Sequence, residues 1–392
     1  MVVGAGPAGI AAALALRRAG IEPLVLERSR ALGEVGSALT LWPNAIAALE
    51  ALGASEAVRA ASAQCDGIAL RTDTGEVLDA TSGAEMKGSF GSSGYALTRA
   101  ELLEALEGEL GAEAVRLEAR CTGFREDADG LVAVMADGTE HAADLVLGAD
   151  GIRSTIRAQL FGETPLRYSG YAVWRGVTRF DLDDRVGTTT LGRAAQFGFF
   201  PLAGGRAYWF AALVVPAGSR LPGQRHRPEL LARLRSWHAP IPALVAATAE
   251  EEISVTDVYD RPPLRRWSVG PVGLAGEAAH PSTPNLGQGA CQALEDAAVL
   301  GACVREADDL AGALREYTRR RRDRANGISA QARRLAQVGR WESRVACRLR
   351  TELMRRMPER ARVRQLERLF GFDAAPARPP ARNPEEVAQL PS

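Results

Sequence analysis

An α/β fold carrying an inserted antiparallel β-sheet and a helical C-terminal region is what this 392-residue chain predicts. Three observations carry the prediction. The N-terminus reads as strand, glycine turn, helix and second strand, the βαβ unit of a Rossmann-type dinucleotide fold. Residues 71–92 and 166–266 hold short β-rich pieces with no dinucleotide features. From Leu314 to Phe370 the pattern is helical and rich in arginine.

The first unit runs from Met1-Val2-Val3 into Gly4-Ala5-Gly6-Pro7-Ala8-Gly9, then through strong helix formers from Ile10 to Ala19. Gly20 ends that helix, and Ile21 to Leu26 reads as a buried strand closed by Glu27-Arg28. Gly4 permits the tight turn, Gly6 lets backbone approach a pyrophosphate, and Gly9 allows close helix–strand packing. Glu27 stands where a carboxylate accepts hydrogen bonds from a ribose diol. The first strand is only three residues long, and the motif alone does not separate FAD from NAD.

A turn at Gly36-Ser37-Ala38-Leu39-Thr40-Leu41-Trp42-Pro43 leads into a helix through Leu52, with Trp42 read as packing. Tyr95 to Thr98 reads as a strand, Thr98 as an N-cap, and Glu101 as its capping-box partner. Arg99 at a helix start opposes the helix dipole, which favours a phosphate-facing role. Leu131–Met135 and Glu140–Leu147 form a hairpin about Asp137-Gly138, and the second strand enters Gly148-Ala149-Asp150-Gly151. Asp150 can accept a ribose or ribityl hydroxyl, and Gly151 permits the turn. The most informative segment is Gly276 to Ala297: an acid after an apolar strand, a Pro- and Gly-rich loop, and an uninterrupted helix. The unpaired N–H groups at that helix start suit an anion or an electron-rich ring edge, and Gly287 and Gly289 clear side chains from the approach. Cys291 packs in the first helical turn, and His280 orders the loop.

These three motifs, in this order, resemble those of the class A flavoprotein monooxygenases, the aromatic-hydroxylase family whose type member acts on p-hydroxybenzoate. The subgroup most similar contains salicylate, urate and 3-hydroxybenzoate hydroxylases and zeaxanthin epoxidase. The resemblance covers nearly the whole chain and implies FAD as cofactor, NADH or NADPH as co-substrate, and O2. It implies oxygen addition at the flavin C4a position and transfer to an aromatic or polycyclic small molecule. For the cofactor it implies Gly4, Gly6, Ala8, Gly9, Glu27 and Arg28 from the first motif. Thr40, Arg99, Cys121, Asp150 and Gly151 follow from the middle, and Glu277, Pro281, Gly287, Gln288, Gly289 and Ala290 from the third. The chain departs from the family at Glu277, where Asp is usual; the longer carboxylate must shift or bend to reach the ribityl chain.

The implied organisation is an FAD-binding domain of residues 1–70, 93–165 and 267–340, and a substrate-binding sheet of 71–92 and 166–266. C-terminal helices fill 341–373, and a disordered tail runs over 374–392. Candidate pocket residues on the sheet are Tyr171, Trp174, Arg175, Gln196, Phe199 and Tyr208, and alternation points about half of them inward. Arg175 and Tyr208 are the candidates for catalysis, for a chemistry that demands no protein nucleophile. The absence of a W-x-W-x-I-P motif weighs against halogenation.

A formal net charge of zero gives no general attraction to nucleic acid or anionic membrane. Five dispersed cysteines without C-x-x-C spacing point to reduced thiols and a cytoplasmic protein, and the histidines show no metal-ligand spacing. No signal peptide or membrane-spanning run is evident. The arginine-rich segment reads as solvated helix faces packed on the core through Leu335, Val338, Val345, Leu349 and Leu353, or as a membrane-surface or acidic-partner site. Two other readings stay open: a flavin oxidase or reductase without oxygen insertion, and a degenerate flavin fold that only binds.

Overall fold

A computed structural model describes residues 1–33, 38–127, 130–219 and 225–372. The expected turn residues Gly36 and Ser37, and the tail over 374–392, lie outside the described residues.

A six-stranded sheet forms the nucleotide-type half, in the order Ser268–Val269, Val272–Leu274, Val146–Gly148, Val2–Val3, Val25–Leu26, Val115–Arg116. All its pairings are parallel except the first. Two residues suffice for the first strand because both sides are paired and both side chains are buried. The second strand is shorter than expected, Val25–Leu26 in place of Ile21–Leu26. Pro23 has no N–H for the ladder, so pairing begins after it. The expected strand Glu140–Leu147 is two strands. Glu140–Ala143 pairs with Gly130–Met135, the chain bends at Asp144, and Val146–Gly148 joins the central sheet beside Val2–Val3.

The helix Pro7–Arg18 follows the glycine turn, where close approach is obligatory. A Cβ on Gly9 would lie 1.8 Å from the Gly4 carbonyl oxygen. On its other side this helix packs against Gly289–Glu306, with Gly301 so close that an added Cβ would meet that of Ala15 at 3.1 Å. The helix Gly289–Glu306 is in turn covered by Leu310–Gly339, so almost its whole circumference is buried.

The second half is a seven-stranded sheet ordered Ser254–Asp260, Arg167–Arg179, Arg206–Leu213, Ala195–Leu202, Val186–Leu191, Gly67–Thr72, Val77–Ser82. Its pairings are antiparallel except between Val186–Leu191 and Gly67–Thr72. The boundary expected at 70/71 therefore falls inside a strand that belongs wholly to this sheet. Alternation divides its faces. Trp174, Phe197, Phe199 and Trp209 face a closed core with Leu230, Leu234 and Leu244. Tyr171, Val173, Arg175, Gln196, Phe200, Tyr208 and Phe210 line the cavity on the other side.

The C-terminal region comprises Leu310–Gly339, Arg344–Arg355 and Glu359–Phe370. Phe370 stacks on Trp42 with centroids 5.5 Å apart, which pins the last helix beside the cavity. The expected packing stripe is corrected here. Leu335 and Val338 are half-buried, but Val345, Leu349 and Leu353 are 76, 56 and 61% exposed. The second of these helices packs through its other face, where the buried Arg350 donates to the Val338 and Gly192 carbonyls. Among the described residues no helix is long and apolar enough to cross a membrane.

The close approach at Gly9 yields a contrast. Gly9→Ala should cost about 2–3 kcal/mol in denaturant unfolding through overpacking. Gly88→Ala, on an open helix face with nothing near its added Cβ, should stabilise by up to about 1 kcal/mol. Equal effects of the two substitutions on the unfolding midpoint would contradict the packing argument.

Candidate functional site

The two sheets enclose a cavity of about 1110 Å3. That exceeds the ~300–1,000 Å3 of ordinary small-ligand pockets. Its nucleotide-side wall carries Gly6, Ala8, Thr40, Arg99, Gly151, Glu277, Gly287, Gly289 and Ala290. The opposite wall is the face of the seven-stranded sheet.

Local rules explain how the wall is set. Thr98 accepts from the Glu101 N–H at 3.2 Å while Glu101 accepts from the Thr98 N–H at 2.7 Å, the expected capping box. This fixes Arg99 at the first helical position. Its guanidinium stands 3.3 Å from the place a Cβ on Gly6 would occupy; among the described residues it forms no ion pair, and its charge acts on Glu277 without a direct contact. Asp150 spends one carboxylate oxygen on the Thr155 N–H at 2.7 Å, while Oδ1 is buried without a hydrogen-bond partner. Burial pushes that carboxyl up. Gly287 has φ +60°, and an added Cβ would meet Thr40 Oγ1 at 2.8 Å. A side chain there would therefore be strained and would crowd the cavity floor.

Glu277 is accessible to solvent, but the solvent it meets is that of the cavity it lines. The enclosing protein raises its carboxyl above the ordinary range, and the positive charge of Arg99, His280 and Arg175 opposes that rise. No hydrogen-bond partner for it is found among the described residues. Across the cavity Arg175 donates to Thr256 Oγ1 at 2.6 Å and faces the Tyr208 hydroxyl. Burial raises the Tyr208 phenol, so it holds its proton. The Tyr171 hydroxyl donates to Asn285 Oδ1 at 2.7 Å. Thus Arg175, Tyr208, Tyr171 and Gln196 converge on the cavity. Trp174 and Phe199, expected there, do not: the strand period turns both into the closed core.

Several expected cofactor residues lie off the cavity wall. The Glu27 carboxylate is engaged by the Ala5 and Ser29 N–H groups at 2.8 and 2.9 Å, and Arg28 is exposed. Cys121 directs its thiol at the Gly123 carbonyl. Gly4 and Gly9 shape the turn from behind, and Pro281 is buried. Gln288 points away into a buried network, accepting from Asn44 at 3.0 Å. Cys291 is buried in the first turn of its helix, and burial pushes its thiol to about 12, which removes it as a nucleophile.

Sequence reading missed the network that Gln288 joins. Glu295 and Asp296 are fully buried in the helix behind the loop. Arg321, only 1% exposed, bonds both, with its Nε 2.8 Å from Asp296 Oδ1. Arg324 bonds Glu295 at 2.7 Å, and Asn44 donates to it at 2.7 Å. His280 donates through Nε2 to Asp296 at 2.5 Å, and the Gly276 N–H donates to the same oxygen at 2.9 Å. Arg319–Arg322 was read as a solvated run, and Arg321 corrects it. Two adjacent acids in an otherwise apolar helix were the available signal, because buried charges need partners.

Comparison with known proteins places the chain by family and fold. The family model described as an FAD binding domain matches residues 1–332. The chain is 41% identical over 362 residues to the aurachin C monooxygenase/isomerase of Stigmatella aurantiaca, covering 91% of this chain and 94% of that one. It is 34% identical over 343 residues to the FAD-dependent urate hydroxylase of Klebsiella pneumoniae, covering 86% and 89%. The crystal structure of Klebsiella pneumoniae HpxO complexed with FAD and uric acid matches with a TM-score of 0.86 and 30% identity, over 94% of this chain and 96% of that one.

The network predicts an acid response. Burial would raise the Asp296 carboxyl, but facing His280 and Arg321 hold it at about 2 against an ordinary 3.8. A carboxyl depressed in this way stabilises the fold above its unfolded value and loses that contribution as pH falls toward about 2. Urea midpoints should therefore drop steeply over that window. Arg321→Met should cost about 3–5 kcal/mol at neutral pH by leaving buried charge uncompensated, and should move the onset of acid loss upward. An unchanged midpoint at pH 7 would rule out the assigned role.

Proposed function

We propose, from the premise that this chain belongs to the FAD-binding-domain family of flavin-dependent monooxygenases, that the large cavity seats FAD along its glycine-lined wall and an electron-rich aromatic substrate against the sheet. The protein is a flavoprotein monooxygenase, using FAD with NAD(P)H and O2. The observation that carries the site assignment is one continuous cavity with polar groups on both walls, unpaired on the nucleotide side and linked to each other and to Thr256 on the sheet side. These are Arg99 and Glu277 on one side, with the orphaned Asp150 oxygen beside it, and Arg175 with Tyr208 on the other.

The residues fit FAD. Arg99 above Gly6 supplies positive charge where a pyrophosphate would cross the glycine turn. Asp150 and Glu277 offer free acceptor capacity for ribose or ribityl hydroxyls. The start of Gly289–Glu306 carries unpaired backbone N–H groups and partial positive charge that would suit the electron-rich edge of a flavin ring. Glu277 lines the cavity unpaired, as a hydroxyl-binding carboxylate would, which supports a functional site in place of a degenerate one.

Bound FAD supplies the redox chemistry, from hydride acceptance to oxygen transfer. The chain's own contribution is orientation, charge and dryness. Arg175 carries a positive charge into the cavity and suits an acidic or phenolate oxygen on the substrate. Tyr208 Oη keeps its proton and acts as a hydrogen-bond donor. Val173, Phe200 and Phe210 give the ring an apolar surface and exclude water from it. Hydroxylation of urate or transformation of aurachin C by relatives points to a flat, electron-rich ring system as the substrate class.

The purified protein should be yellow. Its NADH or NADPH consumption should rise with one member of a panel of phenols and hydroxylated heteroaromatics, giving product one oxygen heavier; a colourless protein that takes up no FAD would sink the reading. Arg99→Ala should weaken FAD binding about 10- to 100-fold, the range of a lost charge-assisted hydrogen bond. Arg175→Gln should leave FAD content intact and raise the KM of an anionic substrate.

A further inference from the structure

A second cavity of about 350 Å3 lies between the far edge of the seven-stranded sheet and the C-terminal helices. Trp42, Thr189, Gln196, Phe200, Asn285 and Leu286 line both cavities, so the partition between them is one residue thick. Three of those six side chains are apolar. Two of the others are linked, because Asn285 Nδ2 donates to Gln196 Oε1 at a long 3.4 Å. Beyond the partition the lining is chiefly hydrocarbon, including Ile68, Leu70, Leu335, Val338, Met354 and Leu366.

The charged groups around this chamber are largely spent, with only the Arg350 Nε–H left buried without an acceptor among the described residues. Arg362 pairs with Asp79 at 2.9 Å, Arg355 pairs with Glu76, and Arg350 donates to two backbone carbonyls. Little charge is therefore left to recognise a polar ligand, and what the chamber offers is removal of apolar surface from water. At about 30 Å3 for each water-sized unit, it has room for on the order of ten methylene-sized groups. The Trp42 Nε1–H at the partition is buried without an acceptor.

We infer that this chamber receives a hydrocarbon portion of the substrate, so that the enzyme acts on an amphiphile: an electron-rich ring in the large cavity, with an aliphatic chain passing the partition beneath the C-terminal helices. The inference rests on the assignment of the ring to the large cavity and adds the substrate class. The cover is held at its outer face by surface ion pairs, which hold weakly, and is anchored by the buried Arg350 and by Leu369 and Phe370, so a chain must enter between those fixed points and away from the cofactor wall.

The test uses the full-length, FAD-loaded protein with resorcinol, 4-hexylresorcinol and 4-dodecylresorcinol, with dissociation constants measured by calorimetry and product mass measured separately. Affinity should rise from resorcinol to the hexyl compound by up to about fourfold per methylene, and then level off as the chamber fills. Leu335→Trp and Leu366→Trp, on two different helices and outside the large cavity, should each flatten that rise while leaving the affinity for resorcinol within about twofold. Equal affinity for resorcinol and its hexyl derivative, absence of binding by all three probes, or an unchanged slope in both variants would overturn the inference. A chain-length dependence abolished by the variants, with no oxygenated product from any probe, would keep the chamber and count against hydroxylation of this ring. Hydroxylation of resorcinol with no chain-length dependence would do the reverse.

Discussion

Two carboxylates buried side by side in one helix set the constraint on which the site depends. Glu295 and Asp296 have no access to water, so every lone pair they carry needs a partner from elsewhere in the chain. The partners come from five places: Asn44 after the Trp42-Pro43 turn, Gly276 just past the end of a strand, His280 in the loop, Gln292 on the same helix, and Arg321 with Arg324 on the covering helix. The loop Gly276–Gly287 forms the floor of the cavity, held by these hydrogen bonds together with the burial of Ala278 and Ala279 in the core. Such a network is weak evidence for stability, since well-packed hydrocarbon in its place is often as stable. Its value is positional: of many compact arrangements of the loop, only one satisfies all of these groups together.

The second constraint is the two-residue period of the inserted sheet. On three adjacent strands, one parity builds a sealed aromatic core and the other builds the cavity wall. Phe197 and Trp209 stack at 5.5 Å in the core, while Gln196, Phe200 and Tyr208 on the same strands line the cavity. The core lets the wall hold polar groups such as Arg175 and Tyr171 without loss of sheet stability. A one-residue slip would exchange the two sets, so the core also enforces the register of the site.

Legibility in the sequence followed the range of the interactions. The glycine turn, the Thr98–Glu101 capping box and the Asp150 turn were readable because each is satisfied within a few residues. Arg321 was not, since its partners are 25 and 26 residues away, and nothing local separates it from the exposed arginines beside it. The strand Val186–Leu191 went unnoticed although its Gly-Thr-Thr-Thr core is rich in β-branched residues; it sits between loops and shows no hydrophobic alternation. Facing was half-readable: the period said that some of Tyr171, Trp174, Arg175, Gln196, Phe199 and Tyr208 must turn away, but parity needs a partner strand to fix it. The apolar positions of Arg344–Arg355 misled for a related reason. A stripe at helical spacing shows that a face is apolar, and does not show that the core reaches it.

The two halves of the site are held by forces of different kinds. The cofactor wall is locked by buried charges, where removing one partner costs about 3–5 kcal/mol against a total stability of about 5–15 kcal/mol. The outer face of the C-terminal cover is fastened by exposed pairs such as Arg355–Glu76 and Arg362–Asp79, each worth about 1 kcal/mol or less, while the stack of Phe370 on Trp42, the buried Arg350 and the bonds of Arg324 to the Arg368 and Leu369 carbonyls anchor it. Local opening samples the weakest attachments first. The outer turns of the cover can therefore open while its anchored ends and the loop beneath the cavity stay fixed. That ordering would suit the proposed site, in which the cofactor stays in register while the proposed substrates and products pass. It also concentrates tolerance to sequence change in the sheet edge and the last helices, where substrate choice can shift without disturbing the groups that hold the cofactor.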